Sequence, residues 1–402
     1  MPRAEFFHDA LADNAALLPL RAESLLIRDA HDRAVVACHR LDVQEYERRG
    51  HCRLEVEPEP RPSNYMYWGG EDHDRLYTAW EQVVRKVIWG EVTLQVVQLE
   101  WETSCGPGLR SWVIADSVEQ AEAFILDVER KTHHPGESIL VFAGGRWRRN
   151  HRLYEATQSA SFEDLVLADN LKETIRRDFH QFLESEDRYR RLGIAWRRGA
   201  LLVGPPGNGK THCVRALVKE LNVPSLYVQS VRHMRYTDEE MWQSVFEKAR
   251  GHCPCVLVLE DLDALINDEN RSFFLNQLDG FERNHGLIVL ATTNHPHRID
   301  PAIINRPSRF DRKYHFPLPT HDERQEYLGQ WQHQLAGEAN WTAEEIAPVV
   351  ANTNGFSFAY LKELIVSSIM SWMAEPSMNF ADVLLEQSGL LQRQMRTETE
   401  EQ

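Results

Sequence analysis

The apolar run Ala200-Leu201-Leu202-Val203 leads straight into Gly204-Pro205-Pro206-Gly207-Asn208-Gly209-Lys210-Thr211, and a stretch with helical character begins near Thr211. No other feature constrains the fold as strongly. Glycines let the backbone curl so that successive N–H groups point inward, and the following helix presents its positive end at the same place. The spacing G-x-x-x-x-G-K-[ST] between a strand and a helix is that of a phosphate-binding loop. Gly204, Pro205, Pro206, Gly207, Asn208 and Gly209 are therefore expected to cradle the phosphates of a nucleotide. Lys210 should reach its β and γ phosphates, and the Thr211 hydroxyl should hold Mg2+. The flanking strand and helix make a chance glycine-rich turn a poor account of the run.

Further apolar runs at 225–228, 255–259 and 287–290 alternate with helical stretches from about 158 to 319. That alternation predicts an α/β domain, a parallel sheet with helices on both faces. Residues 320–385 hold no convincing strand and read as a small helical domain, and 386–402 read as an acidic tail whose end, 396–402, frays. Upstream, residues 1–157 mix β-like runs (91–97 and 111–114) with helical pieces such as 117–132. In that piece Ser117 can cap the helix, and Ala121, Phe124, Ile125 and Val128 share a face. A separate mixed α+β N-terminal domain is expected there, bounded by the polar stretch near 155–162. Two or three domains suit 402 residues at about 150 residues each.

Charge and cysteine usage narrow the function classes. With 45 Lys plus Arg against 61 Asp plus Glu, the formal charge is 45 minus 61, or -16, which argues against broad nucleic-acid binding. No run of about 18 apolar residues occurs and the N-terminus lacks a basic start with a long apolar run, so neither a membrane span nor a secretory leader is expected. Six scattered cysteines fit a reducing cytoplasm rather than a disulfide framework. The one tight cluster, His252-Cys253-Pro254-Cys255, reads as thiols leading into a strand; a zinc site would want a second pair elsewhere.

The run 255–259 delivers Glu260 and Asp261 at its C-terminal edge, where ligands of open α/β sheets bind. Hydrolysis of a nucleotide needs one acidic group near Mg2+ and another for the attacking water. Glu260 is assigned to the metal shell and Asp261 to the water. From the next strand, Asn294 offers an amide to the water or the γ phosphate. Arg306 and Arg309, three apart around Pro307, suggest a rigid projection that stabilises phosphate charge in a neighbouring subunit.

In their order, GPPGNGKT, VLVLED, ATTN and IDPAI followed by R-x-x-R-FD, residues from about 158 to 370 resemble the ATPase module of the AAA clade of the AAA+ superfamily. Within it, the motifs look most like the mitochondrial translocases that assemble the Rieske subunit of complex III, although residues 1–157 do not resemble their membrane segment. The resemblance implies ATP and Mg2+ as cofactors and Asn294 as the sensor of the γ phosphate. It implies Arg306 and Arg309 as fingers supplied in trans, Asp164, Leu165 and Val166 as the adenine contact, and Phe358 with Ala359 on a lid helix over the base. Fingers in trans imply a ring of identical subunits, six as a rule and seven as the alternative. The usual acidic order is Asp then Glu, and here it is inverted, so slow turnover is one expectation.

Where substrate-threading relatives carry an aromatic, an aliphatic and a glycine, this chain has Val231-Arg232-His233-Met234-Arg235-Tyr236-Thr237-Asp238. Met234 and Tyr236 are candidates to grip a chain; Thr237 onward reads as a helix cap. The expected function is an ATP-hydrolysing ring that remodels, disassembles or chaperones protein clients, with residues 1–157 choosing them. The alternatives are a nucleic-acid motor or loader, resting on Arg146, Arg148, Arg149 and Arg152 around Trp147, and a slow nucleotide-gated scaffold. Aromatic residues of the first domain, Tyr65, Tyr67, Trp68, Trp80, Trp89, Trp101, Trp112 and Trp147, read either as a binding surface or as core.

Overall fold

The computed structural model describes residues 18–38, 41–56, 64–68, 76–80, 82–103, 106–133, 135–167, 170–233, 236–279, 284–304, 309–335 and 341–400. They form two compact units, Met1–Gly136 and Glu137–Gln402.

In the first unit, β1 (Ala34–Cys38), β2 (Arg53–Val56), β5 (Gln82–Trp89), β6 (Val92–Thr103) and β7 (Gly106–Ala115) make an antiparallel sheet in the order β1-β7-β6-β5-β2. Separately, β3 (Asn64–Trp68) pairs antiparallel with β4 (Leu76–Trp80). Strand alternation gives the sheet two apolar faces. Val113 and Ala115 pack with Ala121, Phe124 and Val128 of the helix Val118–His133, whereas Trp112 and Ile114 pack with Ala22 and Leu26 of the helix Leu18–Asp29. Ser117 Oγ accepts from Gln120 N at 3.2 Å, the cap the sequence predicts. Trp112 is fully buried and Trp89 meets Phe124 edge-on at 5.4 Å, so these two aromatics are core. The side chains of Tyr65, Tyr67, Trp68, Trp80 and Trp101 lie outside the described residues.

The second unit holds a seven-stranded sheet in the order β14-β10-β13-β12-β11-β8-β9. Its strands are β8 (Ile139–Ala143), β9 (Arg146–Asn150), β10 (Arg197–Val203), β11 (Ser225–Val228), β12 (Cys255–Leu259), β13 (Leu287–Thr293) and β14 (Arg312–His315). All pairings are parallel except β8 with β9. Leu201, Val203, Leu257 and Leu259 pack on one face with Trp242, Val245 and Phe246 of the helix Asp238–Gly251. Ala200, Leu202, Val256 and Val258 pack on the other with the helices Lys210–Leu221 and Leu171–Leu183. This is the α/β architecture the alternating runs predict.

Two boundaries differ from the sequence reading. The P-loop unit begins at Glu137 and not near 158, because β8 pairs in register with β11 (Leu140 with Leu226, Phe142 with Val228) and brings β9 with it as the edge strand. The arginines at 146, 148 and 149 thus sit on an edge strand rather than on a linker; charge is a common way to keep such an edge from pairing with another chain. Trp147 faces inward against Phe142, ring centroids 5.0 Å apart.

The other difference lies at the C-terminus. Residues 386–400 are not a frayed tail but the greater part of the helix Phe380–Glu400, which joins the helices His321–Gln334, Ala343–Asn352 and Phe358–Ala374. Leu384, Ser388, Leu391 and Met395 recur at helical spacing, and the three apolar ones join Leu328, Val349, Leu361 and Leu364 in one core. Burial of that stripe outweighs the acidic end. Among the described residues no helix is long and apolar enough to cross a membrane. Leu391→Ala should lower the stability of this helical domain by about 2–5 kcal/mol, read as a drop in the thermal midpoint, whereas removal of 396–402 should leave the midpoint unchanged.

Candidate nucleotide site

The loop after β10 is shaped by close backbone approach. A Cβ on Gly204 would lie 2.1 Å from the Phe316 carbonyl oxygen, so only glycine fits there. Gly207 and Gly209 have φ of +76° and +85°, the left-handed region. The helix Lys210–Leu221 starts at the end of the loop, and Lys210 Nζ donates to the carbonyls of Gly204 and Pro205 at 2.7 and 2.8 Å. Burial pushes the Lys210 ammonium below its ordinary pKa, with Asp261 and Asp263 acting in the opposite direction. Thr211 is exposed in the first turn, and Asn208 is buried.

Two other segments meet this loop. Ala359 N donates to the Gly207 carbonyl at 3.0 Å, at the start of the helix that Ser357 caps. Phe358 turns partly into the helical core, its ring 5.2 Å from that of Tyr327. On the other side, the short helix Phe162–Asp164 runs into buried Leu165 and Val166. Leu165 Cδ2 lies 2.9 Å from the place a Cβ on Gly209 would take. Asp164 is exposed, 3.8 Å from His212 Nε2, which also hydrogen-bonds the Ser161 carbonyl at 2.9 Å. Sequence reasoning missed His212; its place directly after Thr211 in the helix was the available signal.

At the strand ends, Asp261 adopts a left-handed backbone with φ +50°. Such conformations cost on the order of 1–3 kcal/mol in a non-glycine residue and gather at functional sites. Its N–H donates to Thr292 Oγ1 at 3.1 Å, and its carboxylate accepts from Asn294 Nδ2 at 3.0 Å. Thr293 Oγ1 donates to Asp263 Oδ1 at 2.7 Å. The parallel register of β12 with β13 (Leu259 opposite Ala291) brings Asp261 and Asn294 together; Asp263, Thr292 and Thr293 hold their neighbours by hydrogen bonds that short motifs do not single out.

Arg306 and Met234 lie outside the described residues. Arg309 does not project: its Nε donates to Asp279 at 2.9 Å, its Nη1 to the Ala302 carbonyl at 2.5 Å, and it is nearly fully buried. The expectation of two free guanidiniums is corrected on this point, because a carboxylate of the same chain holds Arg309, and breaking such a buried pair costs about 3–5 kcal/mol. A capping box at Thr237 and Glu240 confirms the helix cap, and Tyr236 is exposed with its ring 4.9 Å from that of His233. Cys253 Sγ and Cys255 Sγ are 3.8 Å apart. No group of three or more His, Cys, Asp or Glu that could hold a metal occurs among the described residues.

Buried polar atoms normally have partners. Both amide atoms of Asn208, Glu260 Oε1 and Asn294 Oδ1 are buried without a hydrogen-bond partner among the described residues. All three residues follow strands whose C-terminal ends share one sheet edge. An amide donor in a glycine loop suits phosphate oxygens, and a buried carboxylate oxygen without a partner suits a divalent cation. The residues present fit a nucleotide with its Mg2+.

Residues 200–318 match the family described as "ATPase family associated with various cellular activities (AAA)". The match identifies residues 200–318 as an AAA ATPase domain of the AAA+ superfamily. The chain is also similar to proteins named ATP-dependent zinc metalloprotease FtsH: 37% identical over 282 residues to that of Acidothermus cellulolyticus (65% of this chain, 41% of the relative). It is 34% identical over 224 residues to FtsH 2 of Salinibacter ruber (52% and 32%) and 31% over 250 residues to that of Thermus thermophilus (58% and 38%). The matched part of the chain thus spans only 32–41% of these relatives' length. The zinc-binding pattern H-E-x-x-H does not occur in residues 1–402. The narrower likeness to the Rieske-assembly translocases rests on the motifs alone.

Gly207→Ala would place a Cβ 2.6 Å from Ala359 Cβ and 2.8 Å from Ser357 Oγ on a left-handed backbone. A cost of about 1–2 kcal/mol from the backbone alone should weaken ATP binding at least several-fold in a fluorescent-nucleotide titration.

Proposed function

We propose that the protein is an ATP-driven ring that remodels, disassembles or chaperones protein clients, with the first unit selecting them. What carries this reading is the hydrogen-bonded Asp261–Asn294 pair, set on the same sheet edge as the 204–211 loop. The similarity to proteins named as ATP-dependent proteases supports protein as the substrate class.

The chemistry follows from placement and charge. Backbone N–H groups of 204–209 and the Lys210 ammonium hold the phosphates; on binding, Lys210 exchanges its two loop carbonyls for phosphate oxygens. Thr211 and Glu260 would hold Mg2+, which when bound would supply positive charge to offset that of the phosphates. Asp261 accepts the proton of the attacking water, and Asn294, fixed by that same carboxylate, orients the water against the γ phosphorus. Leu165 and Val166 with Asp164 border the base, and Ala359, with Phe358 beside it, ties the helical domain to the loop. Nucleotide state therefore acts directly on the lid through Gly207. Arg306 of one subunit completes the site of the next, so hydrolysis requires assembly, in a ring of six. Arg309 braces the segment that carries Arg306. Exposed Tyr236 touches the client.

Lys210→Ala should abolish ATP binding. Asp261→Asn should keep ATP bound and slow turnover by about 10²–10⁴; unchanged turnover would move the base elsewhere. Arg306→Ala should lose turnover with binding intact, and mixing it with Asp261→Asn subunits should restore composite sites and part of the activity. Specific activity that stays constant on dilution to monomers would refute the shared site. Denatured protein should stimulate ATPase activity, and DNA or RNA should not; the reverse would promote a nucleic-acid motor.

A further inference from the structure

The turn between the helix Asp238–Gly251 and β12 brings two thiols into contact at the end of the strand away from the nucleotide site. Cys255 opens β12, and Glu260 and Asp261 follow its other end, about 16 Å away at roughly 3.3 Å per residue. Cys253 and Cys255 stand two residues apart, and their Sγ atoms are separated by 3.8 Å. Both point at one carbonyl: Ala249 O, in the last turn of the helix, accepts from Cys253 Sγ at 3.4 Å and from Cys255 Sγ at 3.2 Å. The same oxygen accepts from His252 N at 3.0 Å. Cys255 is fully buried, and its N–H is fixed on the Gly286 carbonyl at 3.2 Å. Cys253 is only partly buried, with Gly251 and Pro254 exposed on either side of it. One thiol therefore meets solvent while the other is held directly behind it.

We propose that Cys253 and Cys255 are a redox-active dithiol, a modification site that small disulfides of the glutathione class convert to an intrachain disulfide, with Cys253 attacking and Cys255 resolving. Exposure assigns the first role to Cys253, and electrostatics agree. The hydrogen bond from Cys255 holds the Cys253 thiol below the ordinary cysteine range, with the Arg250 guanidinium acting in the same direction against burial. That hydrogen bond and burial push the Cys255 thiol up. In the first step the Cys253 thiolate bonds to one sulfur of the small disulfide, and the other half leaves as a thiolate that takes up a proton. Cys255 then loses its proton to solvent, bonds to Cys253 Sγ and expels the second half. Two protein thiols give up two electrons, one small disulfide becomes two small thiols, and no further reagent enters. A disulfide bond measures about 2.05 Å, so the sulfurs have only to pass from contact to bonding distance. The bridge withdraws both thiol donors from the Ala249 carbonyl, so oxidation acts at the turn that joins this helix to the strand of the two acids.

The test uses the full chain with oxidised glutathione in excess, followed by alkylation of the remaining thiols, trypsin and mass spectrometry. Cleavage after Arg250 and Arg271 releases residues 251–271, which hold Cys253 and Cys255 and no other cysteine. From the wild-type chain this peptide should come out unalkylated and two hydrogens lighter than the dithiol, and dithiothreitol should restore both thiols. This readout does not depend on any variant folding. Cys255→Ser should leave Cys253 as a mixed disulfide with glutathione, since no resolving thiol remains. In Cys253→Ser, Cys255 should react at least about tenfold more slowly than Cys253 does in Cys255→Ser, because each unit of pKa costs tenfold in thiolate. A wild-type peptide that keeps two alkylatable thiols, or that carries glutathione without a bridge, would overturn the dithiol. Faster reaction at Cys255 than at Cys253 would overturn the assignment of the attacking sulfur.

Discussion

The site depends on how closely its backbone can pass other backbone. At Gly199 a Cβ would fall 2.2 Å from the Arg309 carbonyl oxygen, and at Gly204 one would fall 2.1 Å from that of Phe316. Main chain packed this tightly leaves no room for side chains, so β10 and the loop that leaves it are locked against the segment entering and leaving β14. That contact holds the loop at the sheet edge, from which the helix Lys210–Leu221 departs with its positive end toward the phosphates. The same economy of space recurs at Gly207, where the lid helix touches the loop through a single amide. The glycine loop and the start of the helix Phe358–Ala374 are thereby tied together.

Around this frame the charges divide into two kinds. Asp261 is strained in backbone and held at both ends, its N–H by Thr292 and its carboxylate by Asn294. A group over-determined in this way suits a task that tolerates little wandering. Arg309 and Asp279 are the opposite case: an ion pair nearly sealed from water, whose worth lies in holding two chain segments together. Its buried place gives Arg309 the duty of an internal brace.

Much of this was legible from local sequence. The glycine loop, the acids after β12, the amide after β13 and the Thr237 cap all depend on neighbours within a few residues, or on strand ends whose alignment a parallel sheet enforces. The segment 161–166 and the pair Phe358 and Ala359 came through family likeness, since nothing in their own spacing points to the loop. What escaped notice is long-range. β8 reads as one more apolar run, and its pairing with β11 is decided by register between strands far apart in the chain. Leu391 and Met395 looked like part of a polar tail because charge dominates composition, whereas burial depends on one stripe of a helix.

By itself, then, the sequence determined the chemical inventory: a phosphate loop, two carboxylates, an amide and a parallel sheet to carry them. Local spacing and strand–helix alternation suffice for that because they act over one or two turns of chain. Only the tertiary structure decided which groups are free to act. Whether a guanidinium reaches outward or is held by a carboxylate, as Arg309 is by Asp279, depends on contacts between residues distant in the chain, where packing and desolvation rather than spacing set the energy.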